Sequence, residues 1–122
     1  EGLKFAKQRR AFGQYLSDFQ LIRAKLANMA TELMAGRLLV YQAAWMLDRG
    51  PGRTSLESSM AKYYATEMAQ RAVDQSQQIH GGLGVTVGTV VERLYREVRA
   101  LRLYEGTSEI QQIVIAGQLL KE

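Results

Sequence analysis

Three short segments of this chain hold residue types whose spacing could do chemistry. In Tyr104-Glu105-Gly106-Thr107-Ser108-Glu109-Ile110-Gln111 a carboxylate precedes a glycine and a threonine placed to cap a helix. A carboxylate can take a proton from a carbon acid when a dry, apolar site makes it a stronger base. Gly106 would let the backbone come close to a ligand, and a helix starting after Thr107 would aim its first amides at acceptor or anionic groups. In Gln78-Ile79-His80-Gly81-Gly82-Leu83-Gly84 glycines follow a helical run, which exposes main-chain amides but equally makes an ordinary helix C-cap. Arg9-Arg10-Ala11-Phe12-Gly13 offers cations and an aromatic ring. By themselves, Glu105 reads as a surface carboxylate beside a turn, Thr107 as a cap and Arg9 as a solvated arginine. His80 is the single histidine and there is no cysteine, so no metal site is expected and His80 reads as a neutral spacer.

With 122 residues the chain is sized for one domain and is small for a complete cofactor-using enzyme. The net charge of +4 raises the question of nucleic acid. Arg93, Arg96, Arg99 and Arg102 recur every third residue, but Glu92 and Glu97 interrupt them, which is the pattern of an ion-paired or solvated helix face. No nucleic-acid partner is expected, and an anionic small molecule suits the charge equally well. No apolar run approaches the roughly 20 residues of a membrane span.

The elements that must position these segments are helices. Phe19, Ile22, Leu26, Met29, Leu33, Gly36, Val40, Ala43 and Leu47 alternate spacings of three and four, the mark of one helix face. Ser17 with Gln20 predicts a capping box at its start, and Leu16 with Leu21 a hydrophobic staple. Arg49-Gly50-Pro51-Gly52 predicts its end. A second long helix is predicted from Thr54, with Glu57 completing a capping box, to about Ile79. It carries a small-residue stripe of Ala61, Ala65, Ala69, Ala72 and Ser76, against which a neighbour can approach closely. A shorter helix is predicted from Val90 to Val98, with Val91, Leu94, Tyr95 and Val98 inward. Leu101, Leu103 and Tyr104 then alternate with polar residues, predicting a few extended positions. A last helix after Thr107 is expected to bury Ile110, Val114, Ile115 and Leu119. The fold class is all-α, an antiparallel helix bundle. A helical pattern already runs at Leu3, Phe5 and Ala6, so the chain is expected to be cut from something longer.

The three chemical segments, with Val91-Glu92-Arg93-Leu94-Tyr95-Arg96 between the last two, stand in the order and spacing of the C-terminal helical domain of acyl-CoA dehydrogenases, which the chain resembles over nearly its whole length. The resemblance implies a four-helix-type bundle whose first helix is truncated at Glu1. It implies an FAD-dependent enzyme that converts acyl-CoA thioesters to trans-2-enoyl-CoA and passes electrons to an electron-transferring flavoprotein. Glu105 matches the catalytic base; its amide, with a flavin ribityl hydroxyl, would hold the thioester oxygen, and Gly106 falls in the substrate site. Thr107 and Glu109 match FAD-binding positions. Arg9, Phe12, Gln78, Gly81 and Gly82 match positions that reach the FAD of a neighbouring subunit, Arg9 as a charge partner for the diphosphate and Phe12 as an apolar wall. A homotetramer or homodimer is therefore implied. The bacterial cytoplasm and the mitochondrial matrix are both open as locations.

Ala11 replaces a hydroxyl or amide side chain common in the family, and Gln112 and Gly117 stand where arginines are frequent. Two other functions fit the same residues: an acyl-CoA oxidase or related flavoenzyme, and a non-catalytic helical oligomerisation module. The chain by itself is expected to be inactive.

Overall fold

The computed structural model describes residues 1–50 and 52–121. Its elements run α1 (Gly2–Gln8), β1 (Arg10–Ala11), β2 (Gln14–Tyr15), a 3-10 turn (Leu16–Asp18), α2 (Gln20–Asp48), α3 (Ser55–His80), a 3-10 turn (Gly81–Val85), α4 (Val90–Leu101) and α5 (Ser108–Leu119). The antiparallel helical architecture is the one expected from the periodicity.

The bundle is organised around α3, against which α1, α2, α4 and α5 all pack. Small residues permit this. Gly2 of α1 seats on Ser76, where a β-carbon would stand 2.9 Å from its hydroxyl, and Gly36 of α2 seats on Met68 and Tyr64. Among the described residues the buried apolar side chains are Ala6, Ala43, Ala61, Met68, Ile79 and Val91. This core is thin, and an apolar groove of about 630 Å3 stays open between α1, α2, α3 and α4, lined by Leu26, Leu33, Met68 and Leu94 among others.

Several local expectations are corrected. The capping box at Ser17 does not form, because Leu16–Asp18 coils into a 3-10 turn and α2 starts two residues later, with Phe19 at its N-cap. The Asp18 carboxylate instead accepts from the Tyr15 N–H at 3.1 Å. Thr54 does precede α3, but its side chain caps no backbone N–H, so that capping box is absent too. Pro51 lies outside the described residues; α2 has already ended at Asp48. The predicted extended stretch after Val98 is helix to Leu101, followed by turns.

Tyr95, Ile110 and Leu119, expected inside, are 40–50% exposed, as are Leu33 and Val40. Their faces are apolar but this chain does not cover them. A small hairpin was not foreseen: Arg10 pairs with Tyr15 and Ala11 with Gln14 around a two-residue turn at Phe12-Gly13. Both turn residues have positive φ (51° and 82°), as two-residue hairpin turns matching strand twist require. Arg10 steadies the turn by donating to the Gly13 carbonyl at 2.9 Å and lying over the Tyr15 ring.

Candidate functional site

The α4–α5 connection carries Glu105. Thr107 is the N-cap of α5, its hydroxyl accepting from the Ile110 N–H at 3.3 Å, as predicted from the sequence. Glu105 and Gly106 both adopt the left-handed region, with φ of 56° and 85°. For a glutamate this conformation costs about 1–2 kcal/mol, so the surroundings must hold it. They do so through main-chain carbonyls. The Gln111 side chain donates to the carbonyls of Glu105 and Gly106 at 3.1 and 3.3 Å, and Lys62 of α3 donates to the Gly106 carbonyl at 2.6 Å. The positive φ favours glycine here, and a β-carbon on Gly106 would stand 2.6 Å from the Gln111 amide nitrogen and displace that side chain. The Glu105 side chain is exposed and makes no hydrogen bond or ion pair among the described residues.

The base of the turn is tied to α3. Glu67 accepts from the Arg102 Nε at 2.7 Å and from the Ser108 hydroxyl, both at the same carboxylate oxygen, while the Ser108 N–H donates to the Arg102 carbonyl at 3.2 Å. Burial pushes the Glu67 pKa upward. The hydrogen bonds from Arg102 and Ser108 and the charges of Arg102 and Arg71 outweigh it, so the carboxyl is held below its ordinary value. Arg102 is raised in turn, first by its hydrogen bond to Glu67. Glu109, exposed in the first turn of α5, is held low by its own backbone N–H and by the Thr107 hydroxyl.

The second group of residues meets at the C-terminal end of α3. Arg9, Gly81 and Gly82 line one cleft of about 520 Å3, with Phe5, Ala11, His80 and Leu83. Gln78 is not in its lining; its carbonyl takes the Gly81 N–H that closes the helix. Phe12 stands on the hairpin turn beside it, 97% exposed. His80 is occupied structurally, its ring stacked on Phe5 at 4.2 Å and its Nδ1 2.7 Å from the Ser76 carbonyl. The glycine that packing demands is Gly84, which the sequence did not single out. A β-carbon there would lie 2.4 Å from the Gln77 carbonyl, and the Gln77 amide donates to the Gly84 carbonyl at 3.0 Å. Around Gly81 and Gly82 space is open, with nothing within 4 Å of a β-carbon at either.

This cleft fits part of an FAD. A free guanidinium and the glycine turn suit an anionic diphosphate, and the bare Phe12 ring suits a flat aromatic system. The Glu105 turn lies elsewhere: from Lys62, beside it, to His80 is roughly 27 Å along α3 at 1.5 Å per residue. The two groups of predicted residues therefore lie at two separate places on one chain.

Three of the four arginines spaced along α4 and its end are spoken for, Arg96 by Glu92 at 2.7 Å, Arg93 by Glu97 at 3.6 Å and Arg102 by Glu67. Carboxylates thus offset part of the positive charge along this face. Gln112, which departs from the family pattern, donates to the Tyr63 hydroxyl at 2.8 Å and so ties α5 to α3, while Gly117 meets nothing. Among the described residues no helix is long and apolar enough to cross a membrane. The residues that sequence reasoning missed are Lys62 and Glu67, while Gln111 closes the third motif but was given no role there. The partners of Lys62 and Glu67 are distant in sequence, and the available signal was a glutamate beside inward-facing Met68 on α3.

Residues 1–120 match the model of the acyl-CoA dehydrogenase C-terminal domain. The chain is 52% identical over 121 residues to a 3-(aryl)acrylate reductase of Clostridium sporogenes, covering 99% of the chain and 32% of that protein. It is 48% identical over 122 residues to subunit CarC of a caffeyl-CoA reductase-Etf complex of Acetobacterium woodii, covering 100% of the chain and 32% of that subunit. Butyryl-CoA dehydrogenase from Megasphaera elsdenii superposes with a TM-score of 0.93 at 38% identity, over 98% of this chain and 31% of that one. The chain thus spans about a third of the length of the relatives it matches. Members of this family are flavoproteins. On sequence and fold together, the chain belongs to the acyl-CoA dehydrogenase family, of which it matches the C-terminal domain.

Proposed function

We propose that this chain is the C-terminal helical domain of an FAD-dependent acyl-CoA dehydrogenase, with Glu105 as the base that removes the α proton of a CoA thioester. What carries the reading is an exposed, unpaired carboxylate on a turn whose backbone is pinned at three points. Placement within a few tenths of an ångström is what proton abstraction from carbon requires, and a pinned backbone supplies it.

In the reaction the α C–H bond breaks toward Glu105 and the electron pair left behind forms the α,β double bond. FAD, when bound, supplies the acceptor for the hydride that leaves the β carbon. The Glu105 N–H points charge stabilisation at the thioester oxygen, where negative charge grows as the proton leaves. Gly106 leaves room for the thioester at the turn. Thr107 and Glu109, at the start of α5, would contact FAD when it is bound; an ionised Glu109 would accept from hydroxyl groups rather than pair with phosphate. Arg9, Phe12, Gln78, Gly81 and Gly82 hold the FAD of a second subunit. The separation along α3 supports this division, because one copy presents the two groups far apart. Met34, Leu38, Tyr41 and Trp45, all exposed along α2, supply an apolar face for a homodimer or homotetramer.

One observation favours a second reading. The relatives at 52% and 48% identity carry reductase names. Run in reverse, the same geometry has Glu105 deliver a proton to the α carbon of an unsaturated thioester while hydride arrives at the β carbon. An electron-transferring flavoprotein is the redox partner in either direction.

The test is Glu105→Gln in the intact enzyme. Flavin should remain bound while its bleaching by acyl-CoA slows by about 10²–10⁴-fold, the usual contribution of a positioned general base. Undiminished bleaching would refute Glu105 as the base. Reoxidation of wild-type enzyme by a 2-enoyl-CoA, compared with bleaching by the saturated thioester, separates the two directions.

A further inference from the structure

Glu67 takes no part in the chemistry just described, yet it is the carboxylate most enclosed in contacts around the Glu105 turn. Its side chain is 19% exposed and stands on α3, a different element from the turn. One of its oxygens receives Arg102, the last residue before the turn proper, and Ser108, the first residue of α5. These two residues are the mouth of the loop, already joined by the Ser108 N–H to Arg102 carbonyl bond at 3.2 Å. Lys62, five residues back on α3, grips the crown of the same loop at the Gly106 carbonyl.

We propose that Glu67 is the positioning residue for Glu105, fixing where the base stands by clamping both ends of the α4–α5 turn to α3. This rests on the reading of Glu105 as the base. The physical reason for a clamp lies in the backbone. Two successive residues in the left-handed region are not held by a helical or strand ladder, and a glutamate relaxes out of that region when the ends of its loop are free to move. A charge-assisted bond from Arg102 together with the Ser108 hydroxyl removes that freedom, since both partners must move together for either to leave. The oxygen they share sets the width of the loop mouth. The hydrogen bonds from Arg102 and Ser108 and the charge of Arg102, with a smaller share from Arg71, outweigh burial and hold the carboxyl below its ordinary value, so the clamp is closed at neutral pH. Because Glu67 acts through backbone placement, its loss alters the rate of proton transfer and leaves thioester affinity and flavin content nearly as they were.

The experiment compares Glu67→Ala, Glu67→Gln and Glu105→Gln in the intact flavoenzyme, reading flavin content, the dissociation constant of the acyl-CoA and the bleaching rate at saturation. Glu67→Ala should bleach about 10–100-fold more slowly with the dissociation constant within about threefold, the size of effect expected when a reacting group is misplaced by about 1 Å. Glu67→Gln, which keeps an acceptor oxygen of the same reach, should recover most of that loss. A rate within twofold of wild type for Glu67→Ala overturns the proposal. So does a Gln variant no better than Ala. Where Glu67→Ala does not hold flavin, Ser108→Ala decides: it removes one arm of the clamp, and a slower rate with full flavin supports the proposal while an unchanged rate overturns it. If Glu105→Gln bleaches normally, the base assignment itself has failed. If Glu105→Gln is inactive and Glu67→Ala is normal, only the clamp has failed.

Discussion

The two ends of α3 carry two kinds of site. At the Glu105 turn the Glu105 and Gly106 carbonyls are held by Gln111 and Lys62 and the mouth is closed by the Ser108 N–H on the Arg102 carbonyl, while the Glu105 side chain is left free. At the Arg9 cleft the order is reversed. The glycine turn leaves its surface open, Arg9 stands at the C-terminal cap of α1, and Phe12 projects from the hairpin turn that follows. The difference follows from what each must do. A proton transfer fails if the base is displaced by an ångström, whereas a diphosphate and a flat ring are held by charge and area, which fall off gently with distance. Rigidity is concentrated where geometry matters, and adaptable contacts where affinity matters.

Damage at the two ends should therefore read out differently. The largest effect is expected for Gly106→Ala. The new methyl displaces the Gln111 amide and removes two of the three bonds that pin the turn, while φ of 85° becomes strained. The rate should fall about 100-fold, and the domain should lose about 1–2 kcal/mol of stability in denaturant titrations. An unchanged rate would mean the turn tolerates loosening, and the contrast between the two ends would collapse.

Arg9→Ala should behave in the opposite way. Flavin affinity should drop about 10-fold, the low end for a charge-assisted contact because the guanidinium is solvated, while the rate at saturating FAD stays near wild type. Titration of apoenzyme with FAD, followed by turnover at saturation, checks both halves. A fall in the saturated rate would show that the cleft also positions reacting atoms.

The smallest effect is a pH dependence confined to the braced end. The Glu67 carboxyl lies below the ordinary 4.5 when folded, so its contribution is complete above that value and is lost as pH falls through the lower folded one. Arg102, shifted upward, stays charged throughout. Melting temperatures of wild type and Glu67→Gln should differ at pH 7 and converge below about pH 4.5. Curves that stay parallel to pH 3 would remove the ionised carboxylate from the account of the turn.

Much of this was legible in the residues. The long apolar periodicities of α2 and α3 exceed what any strand produces, and the Thr107 cap is a local bond between neighbours, visible wherever such a residue precedes an apolar helical run. The hairpin was not legible because its strands are two residues each and its turn places a phenylalanine at positive φ, where propensity argues against it. The exposure of Tyr95, Ile110 and Leu119 was misjudged for another reason: periodicity identifies an apolar face but not whether this chain or another molecule covers it.

The sequence alone thus determined the class of fold, which depends on residue type and short spacing, whereas the two groups of candidate residues and the role of Glu105 came from the resemblance of its ordered motifs to a known family. Only the tertiary structure decided how those groups are arranged. That Glu67 and Lys62 brace the Glu105 turn, and that Arg9 lies near His80 and not near Glu105, are consequences of helix packing between residues 35 or more positions apart. The small-residue stripe of α3 shows in the sequence that a neighbour can approach closely, but which helix does so, and which residues then meet, no local pattern encodes.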